Sequence, residues 1–301
     1  ATLEVESHRG SGGFYSDFLD GFATAYQNVS SIVARLSWPG ASRDALLLAA
    51  HFDSFPTSPG AADNAANVAS ALYVLRALAS GPAQRHSVLL LLNGGEESLF
   101  LAAHAFAVGH RWAHDYRVVL NLEAIGAGGD QIIFQLGPEA GWLAEAMRTA
   151  PGVRGTVIAH DLFQIPGFPA GTDLKTLLKH APRSKEDGGG GKVEGGTGKE
   201  DGGGGKEEGG GGKEEGGARP FDDESAVVGL DMATLADGYV YHTPLDSADR
   251  MDVGEMHRLG ASTLSVARAA LRAMEARKAA RWAADAADAA AEAEVAAAQA
   301  R

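Results

Sequence analysis

The sequence predicts an α/β domain built on a largely buried sheet and interrupted once by a low-complexity loop. Five short apolar runs, Ala45–Ala50, Val88–Leu92, Val118–Leu122, Ile132–Leu136 and Val227–Ala233, are bounded by Gly, Pro and polar residues, as strands buried on both faces are. Helical patterns lie between these runs. A tract rich in Gly, Lys and Glu separates the fourth run from the fifth, so the chain leaves the domain and returns to it.

Taken in order, the first helix is predicted where Val68, Leu72, Leu75 and Leu78 share one face, ending at Gly81-Pro82. Further helices are expected at Leu99–Val108, Trp142–Thr149, Thr172–Lys179 and Asp252–Met274. The tract from Ser184 to Ala218 repeats every seven residues, starting at Lys185, Lys192, Lys199, Lys206 and Lys213. A heptad with glycine in the apolar positions has nothing to bury, so a disordered, solvated insertion is expected rather than a coiled coil. After Ala279 the chain is alanine-rich with interspersed Asp, Glu and Arg, the composition of a solvated helical extension. The expected organisation is one domain made of residues 1–183 and 219–278, an insertion at 184–218 and an extension at 279–301.

Composition excludes several functions. Lysine and arginine number 26 against 39 aspartates and glutamates, a formal net charge of −13, which argues against nucleic acid as a partner. There is no cysteine, so disulfide scaffolds, thiolate metal sites and cysteine nucleophiles are absent, and any metal must be held by His, Asp and Glu. No run reaches the roughly 18 apolar residues of a membrane span, and a soluble segment is expected. A start at Ala1 without methionine is read as a processed product or part of a longer protein. Asn28-Val29-Ser30 is a glycosylation sequon, which matters only in a secretory compartment.

The chemistry concentrates at strand ends, where open α/β sheets place ligand sites. Ala45–Ala50 runs into His51-Phe52-Asp53, and residues i and i+2 of an extended chain share a side, so Asp53 can hold one ring nitrogen of His51 and aim the other at a metal. A Pro59-Gly60 turn leads to Asp63-Asn64, either of which would also serve as a helix cap, but Asp63 follows His51 closely enough to bridge two cations. Val88–Leu92 ends in Asn93-Gly94-Gly95-Glu96-Glu97, whose adjacent carboxylates can splay so that one ligates metal and the other reaches a water; as a plain helix start they would only suit the helix dipole. Val118–Leu122 runs into Glu123, and Tyr239–Tyr241, read as a fifth strand end, runs into His242, with Asp246 available to support it. Together His51, Asp63, Glu97, Glu123 and His242 form a two-cation set of imidazoles and carboxylates, with Glu96 to spare, which suits catalytic rather than structural zinc.

These residues resemble metallopeptidase family 28, the co-catalytic zinc aminopeptidases, and within it the endoplasmic reticulum metallopeptidase branch. The resemblance runs from Gly13-Phe14-Tyr15-Ser16-Asp17-Phe18-Leu19 through AHFDSFPTSPGAADNAA, LLLNGGEESL, VVLNLEAIGAGG, IIFQLGPEAGWL and IPGFPAGTDLK to GLDMA and YVYHTPLDSADR. It implies a three-layer α/β/α fold around a mixed, mostly parallel twisted sheet, as in zinc aminopeptidases and phosphorylase/hydrolase-like domains. It also implies two zinc ions, one on His51, Asp63 and Glu123 and the other on Asp63, Glu97 and His242. By the same resemblance Glu96 is the general base, Asp53 and Asp246 support the histidines, and Tyr241 contacts the substrate carbonyl or its tetrahedral intermediate. The Asp63–Asn64 peptide is expected to be cis, the partner to be a peptide substrate, and the place to be the endoplasmic reticulum lumen, with the membrane reached only through a region outside this chain. Many members carry Asp where this chain has Glu123; the longer arm also occurs in the endoplasmic reticulum branch and in the related glutaminyl cyclases, which bind one zinc and perform intramolecular acyl transfer. That activity and a catalytically silent luminal binding domain are the alternative readings.

Other candidates carry less. His110 and His114 stand i, i+4 but lack the acid of a zinc helix motif, so a surface helix end is expected, and His104, His160, His180 and His257 are read as surface or supporting residues. Trp112, Trp142 and Phe134 are read as packing, and Asp173 as structural or substrate-lining. Gly126-Ala127-Gly128-Gly129 lacks a dinucleotide-binding spacing and reads as a turn, and no G-x-S-x-G elbow supports a serine nucleophile.

Overall fold

A computed structural model describes residues 1–16, 21–156, 161, 162, 165, 170–181 and 226–299. The Ser184–Ala218 tract, His160, Asp17–Leu19 and most of 157–169 lie outside the described residues, so the expectation of disorder in the tract is not addressed. The strands are β1 (Thr2–Ser16), β2 (Phe22–Ser37), β3 (Ser42–His51), β4 (His86–Asn93), β5 (Tyr116–Ala124), β6 (Gly128–Leu136), β7 (Arg154–Gly155) and β8 (Val228–Ala236). The helices are α1 (Asn67–Ala79), α2 (Leu101–Gly109), α3 (Gly141–Met147), α4 (Asp173–Lys179) and α5 (Val253–Gln299). Among these residues no helix is long and apolar enough to cross a membrane.

The strands form one mixed sheet in the order β1, β2, β4, β3, β5, β8, β6, β7. Its centre, β4, β3, β5 and β8, is parallel, while β2 joins β4 and β6 joins β8 antiparallel. The two faces are covered by different helices, and β3 shows why. Leu46, Leu48 and Ala50 pack with Val74, Leu75 and Leu78 of α1 and with Val266, Ala270 and Leu271 of α5. Ala45, Leu47 and Ala49 point the other way, to Ala103 and Phe106 of α2 and to Leu174 and Leu177 of α4. Alternation of side chains along an extended strand thus builds two cores, and the fold is three-layer α/β/α as predicted. The apolar runs of the sequence correspond to β3, β4, β5, β6 and β8.

The outer hairpin of β1 and β2 has no clear signal in the sequence. β1 carries Gly10, Gly12 and Gly13, keeps Leu3, Val5 and Tyr15 exposed, and slips register between Gly10 and Gly12. Opposite that slip Asn28, the sequon residue, is exposed at φ 57°. His110 departs from the surface expectation. It is buried, with its ring against Phe106, Trp112 and the Glu6 carboxylate. His104 is buried as well, with Nδ1 2.7 Å from the Tyr26 hydroxyl and Phe14 stacked on its ring.

Chain order places the site. From β3 the chain crosses to β4 on one side and later returns to lay β5 on the other, so the carboxyl ends of β3 and β5 flank the point where strand order reverses. Glycine makes the bend from β5 to β6 possible. A Cβ on Gly126 would overlap the carbonyl oxygen of Ala236, and the Gly129 N–H, at φ 84°, donates to the Glu255 carboxylate at 3.2 Å. The run is a structural turn that binds a side chain of its own domain. Gly126→Ala should lower stability by about 1–3 kcal/mol, the cost of forcing atoms into a filled space, read as a lower urea midpoint with the slope unchanged.

Candidate metal centre

The site is assembled at the carboxyl ends of β3, β4 and β5 and closed by the loop after β8. His51 is the last residue of β3, and its Nδ1–H donates to the Asp53 main-chain carbonyl at 3.0 Å. That contact leaves the Nε2 lone pair facing Glu123 Oε1 at 3.1 Å and Asp63 Oδ1 at 3.3 Å. Lone pairs so disposed repel one another unless a proton or a cation lies between them. Burial opposes charge on the ring, but Glu123, Asp53 and Asp63 outweigh it and raise the His51 pKa well above the ordinary imidazole value.

Asp63 stands in the single π turn Ala61–Ala66 that precedes α1, where its φ of −110° and ψ of 84° break the helix, and its bond to Asn64 is cis as expected. Its second oxygen, Oδ2, lies 3.3 Å from His242 Nε2, which in turn lies 3.2 Å from Glu97 Oε2. Two donor groups therefore share Asp63: His51, Asp63 and Glu123 on one side, and Asp63, Glu97 and His242 on the other.

The donor atoms fit zinc. Ligand atoms about 2.0–2.2 Å from a tetrahedral zinc ion stand about 3.3–3.6 Å apart, near the separations seen here. Asp63 Oδ1, Glu97 Oε1, Glu123 Oε2 and His242 Nε2 are buried without a hydrogen-bond partner, which native proteins rarely tolerate unless another ligand takes them up. Burial raises the Glu123 pKa, and burial with the Asp63 charge lifts Glu97 to about 7, while the two histidines hold the Asp63 carboxyl below its usual range despite burial. The set is short of positive charge.

Asp53 faces His51 as expected, while Asp246 and His242 depart from expectation. The Asp53 carboxylate is 3.5 Å from His51 Nδ1, but its oxygens also accept the N–H groups of Glu96 and Glu97 at 3.2 Å each, so Asp53 fixes the Gly94-Gly95 turn that carries both glutamates. Asp246, expected to support His242, instead accepts the N–H groups of Ala62 at 2.7 Å and Asp63 at 3.1 Å. His242 is also not at a strand end. Gly238–Val240 is a 3₁₀ turn entered through Asp237 at φ 56°, and His242 follows in a loop at φ 59°. Its ring is stacked by Phe55 at 4.1 Å and Tyr241 at 3.7 Å, and its carbonyl accepts from Thr57 Oγ1 at 2.8 Å.

Glu96 is buried beside the donors and belongs to neither group. Burial, then the charges of Glu123 and Asp173, push its pKa well above the carboxylate range. Burial and the carboxylates of Asp63, Glu123, Glu96 and Glu97 likewise raise the Tyr241 phenol, which stays a hydrogen-bond donor. Asp173 is fully buried beneath the site and accepts from Asn93 Nδ2 at 2.7 Å; burial lifts it to about 7. Asp231 of β8 holds Asn121 Nδ2 and Thr172 Oγ1, each at 2.8 Å, and so joins β5 to the cap of α4. Sequence reasoning missed Phe55, Asn64 and Asn67. The last two were detectable only as amides spaced three apart at a helix start.

Residues 31–182 match the model of Peptidase family M28. The chain belongs to this family. The M28 chain is 32% identical over 269 residues to "Endoplasmic reticulum metallopeptidase 1" of Mus musculus, an alignment that covers 89% of this chain and 25% of the relative. It thus spans about a quarter of the length of such relatives. Among solved structures it is similar to a zinc aminopeptidase from Bacillus subtilis, with TM-score 0.52, 16% identity and coverage of 82% of this chain and 51% of the other. It is also similar to the glutaminyl cyclase of Porphyromonas gingivalis, with TM-score 0.51, 13% identity and coverage of 89% and 83%. At such identities the likeness shows the fold. Because the donors are preformed and short of positive charge, zinc should bind the folded M28 chain and stabilise it by about 2.7 kcal/mol per site when free zinc is a hundredfold above Kd, which raises its Tm. Thermal melts after chelation and after zinc addition check this, and coincident melts would refute it.

Proposed function

We propose that this chain is a co-catalytic zinc metallopeptidase of the aminopeptidase type, hydrolysing the first peptide bond of a peptide substrate. The observation that carries the reading is Glu96, a buried carboxyl with a raised pKa placed beside two donor groups that share Asp63. His51, Asp63 and Glu123 would hold one zinc ion, and Asp63, Glu97 and His242 the other. Zinc bound there supplies a Lewis acid for the scissile carbonyl and brings the pKa of water down toward about 7.

The residues of the chain do the rest. Glu96 accepts the proton of the attacking water and delivers it to the leaving amine, a transfer favoured when the carboxyl pKa lies near the working pH. Asp53 keeps Glu96 and Glu97 on their separate tasks by holding both N–H groups. The Tyr241 hydroxyl donates to the oxyanion that develops on the carbonyl. The exopeptidase part follows the resemblance to the zinc aminopeptidases, whose fold the chain shares. Within this proposal the chain works on the luminal side of the endoplasmic reticulum membrane, a reading supported by the resemblance and by a relative named for that compartment.

One observation favours a second reading. The glutaminyl cyclase fold covers most of both chains, and a cyclase would need a single zinc and release ammonia from an N-terminal glutamine. A catalytically silent domain finds little support, since every donor position is filled.

Glu96→Gln should retain both zinc ions by elemental analysis and lose at least about a thousandfold in kcat on aminoacyl fluorogenic substrates, the range that loss of a proton-transfer group reaches. Tyr241→Phe should lower kcat by about tenfold to a hundredfold with KM little changed, as removal of a transition-state donor does. Near-normal turnover by the Glu96 variant would sink the assignment. One zinc per chain with glutamine cyclisation would establish the cyclase instead.

A further inference from the structure

Asn67 is the first residue of α1 and is 1% exposed. Both of its amide hydrogens are used. Nδ2 donates to the main-chain carbonyl of Glu123 at 2.9 Å and to Asn64 Oδ1 at 2.6 Å. Asn64, also 1% exposed, donates through its own Nδ2 to the carbonyl of Leu122 at 2.8 Å. Meanwhile Asn67 Oδ1 is buried with no partner. An amide kept in a buried place at the expense of its own acceptor is explained by what its donors hold.

What they hold is the end of β5. The β3–β5 ladder ends at the pair Ala49 and Asn121, so the carbonyls of Leu122 and Glu123 lie beyond it. Asn64 and Asn67 take up these two carbonyls from the turn that carries Asp63. On its other edge β8 holds this end of β5 as far as Ala124, so the two amides tie the turn of Asp63 to an anchored strand and fix the distance between Asp63 and Glu123, the aperture both share with His51. Among the described residues neither amide is bonded to Glu97 or His242. Their positions depend on Asp53 and Thr57.

From this geometry we propose that Asn67 is a positioning residue that tunes metal affinity at the His51, Asp63 and Glu123 group, where it holds two of the three ligands, more strongly than at the Asp63, Glu97 and His242 group, which it reaches only through Asp63. The proposal rests on the two-ion reading above. It gives the pair of ions unequal and separately adjustable affinities, although they share a bridging carboxylate.

The test measures binding of cobalt, a spectroscopic stand-in for zinc, by visible absorption and competition with a chelator. In a His242→Gln background only the first group remains, and Asn67→Leu should weaken its ion by about 10–100-fold, the usual effect of removing a group that orients a ligand. In a Glu123→Gln background only the second group remains, and the same substitution should change affinity by less than about threefold, well below that range. Melts of the metal-free variants report folding, and Asn67→Ser, smaller and easier to accommodate, should show the same asymmetry if the leucine variant does not fold. Equal losses in both backgrounds, or none in the first, would overturn the proposal while the two-ion reading stood. Fewer than two ions on the unmodified chain would instead remove that reading and the proposal with it.

Discussion

Four carboxyl groups, Asp63, Glu96, Glu97 and Glu123, are confined with two imidazoles where little water can solvate them. A buried carboxylate without a counter-charge is costly, and a cluster of them is costlier because each raises the pKa of the next. The directions of the shifts follow that rule: Glu96, Glu97 and Glu123 rise, His51 and His242 rise in response, and Asp63, in contact with both imidazoles, is the carboxyl that stays charged. The arrangement favours added positive charge, from protons or from the proposed metal ions. In that proposal the metal-ion chemistry would follow from the way the site is charged as much as from the identity of its ligands.

Holding such a cluster together requires a frame that does not relax when the charges repel. The parallel centre of the sheet provides it, since β3, β4 and β5 are buried on both faces and cannot shift without opening two cores. The loops between them are less constrained, and each is tied by a side chain from elsewhere. Asp53 holds the Glu96–Glu97 turn, Asp246 holds the peptide of Asp63, and Thr57 holds His242. Below the site, Asp231 links β5 and the cap of α4, and through Asp173 that cap reaches Asn93 at the end of β4. Polar residues placed by the loops thus extend the order of the sheet to the reacting groups.

The central strands are legible in the sequence because burial on both faces leaves an unbroken apolar run that no other element of that length produces. β1 is not, because an outer strand needs few apolar residues and Gly10, Gly12 and Gly13 erase what alternation remains. The donor set is legible because acids and histidines stand where apolar runs stop. Its supports were harder to read. The short run Tyr239–Tyr241 looks like a strand, yet Asp237 and Gly238 turn it into a 3₁₀ turn, a difference decided by backbone conformation rather than by hydrophobicity. Asp246 follows His242 closely enough to suggest a bond to its ring, but the loop folds back and presents the carboxylate to the turn of Asp63. An asparagine before a helix reads as a cap, as Asn64 does, and that hides the tie it forms with Asn67.

Glu123 shows how these supports combine. A longer acid at this position carries its carboxylate further from the strand, with one more rotatable bond and more freedom to swing away from His51. Two contacts offset that freedom. The Ala124 N–H lies 3.4 Å from Glu123 Oε1, and the same oxygen is 3.1 Å from His51 Nε2, while the backbone carbonyl is tied to Asn67. The arm is therefore anchored at its root and met at its tip. A shorter acid would need the strand itself to approach Asp63, but the β3–β5 ladder fixes that approach up to Asn121. With the strand immobile, reach must come from the side chain and precision from the amides that hold its backbone, which is why the longer ligand and the Asn64–Asn67 tie are parts of one solution.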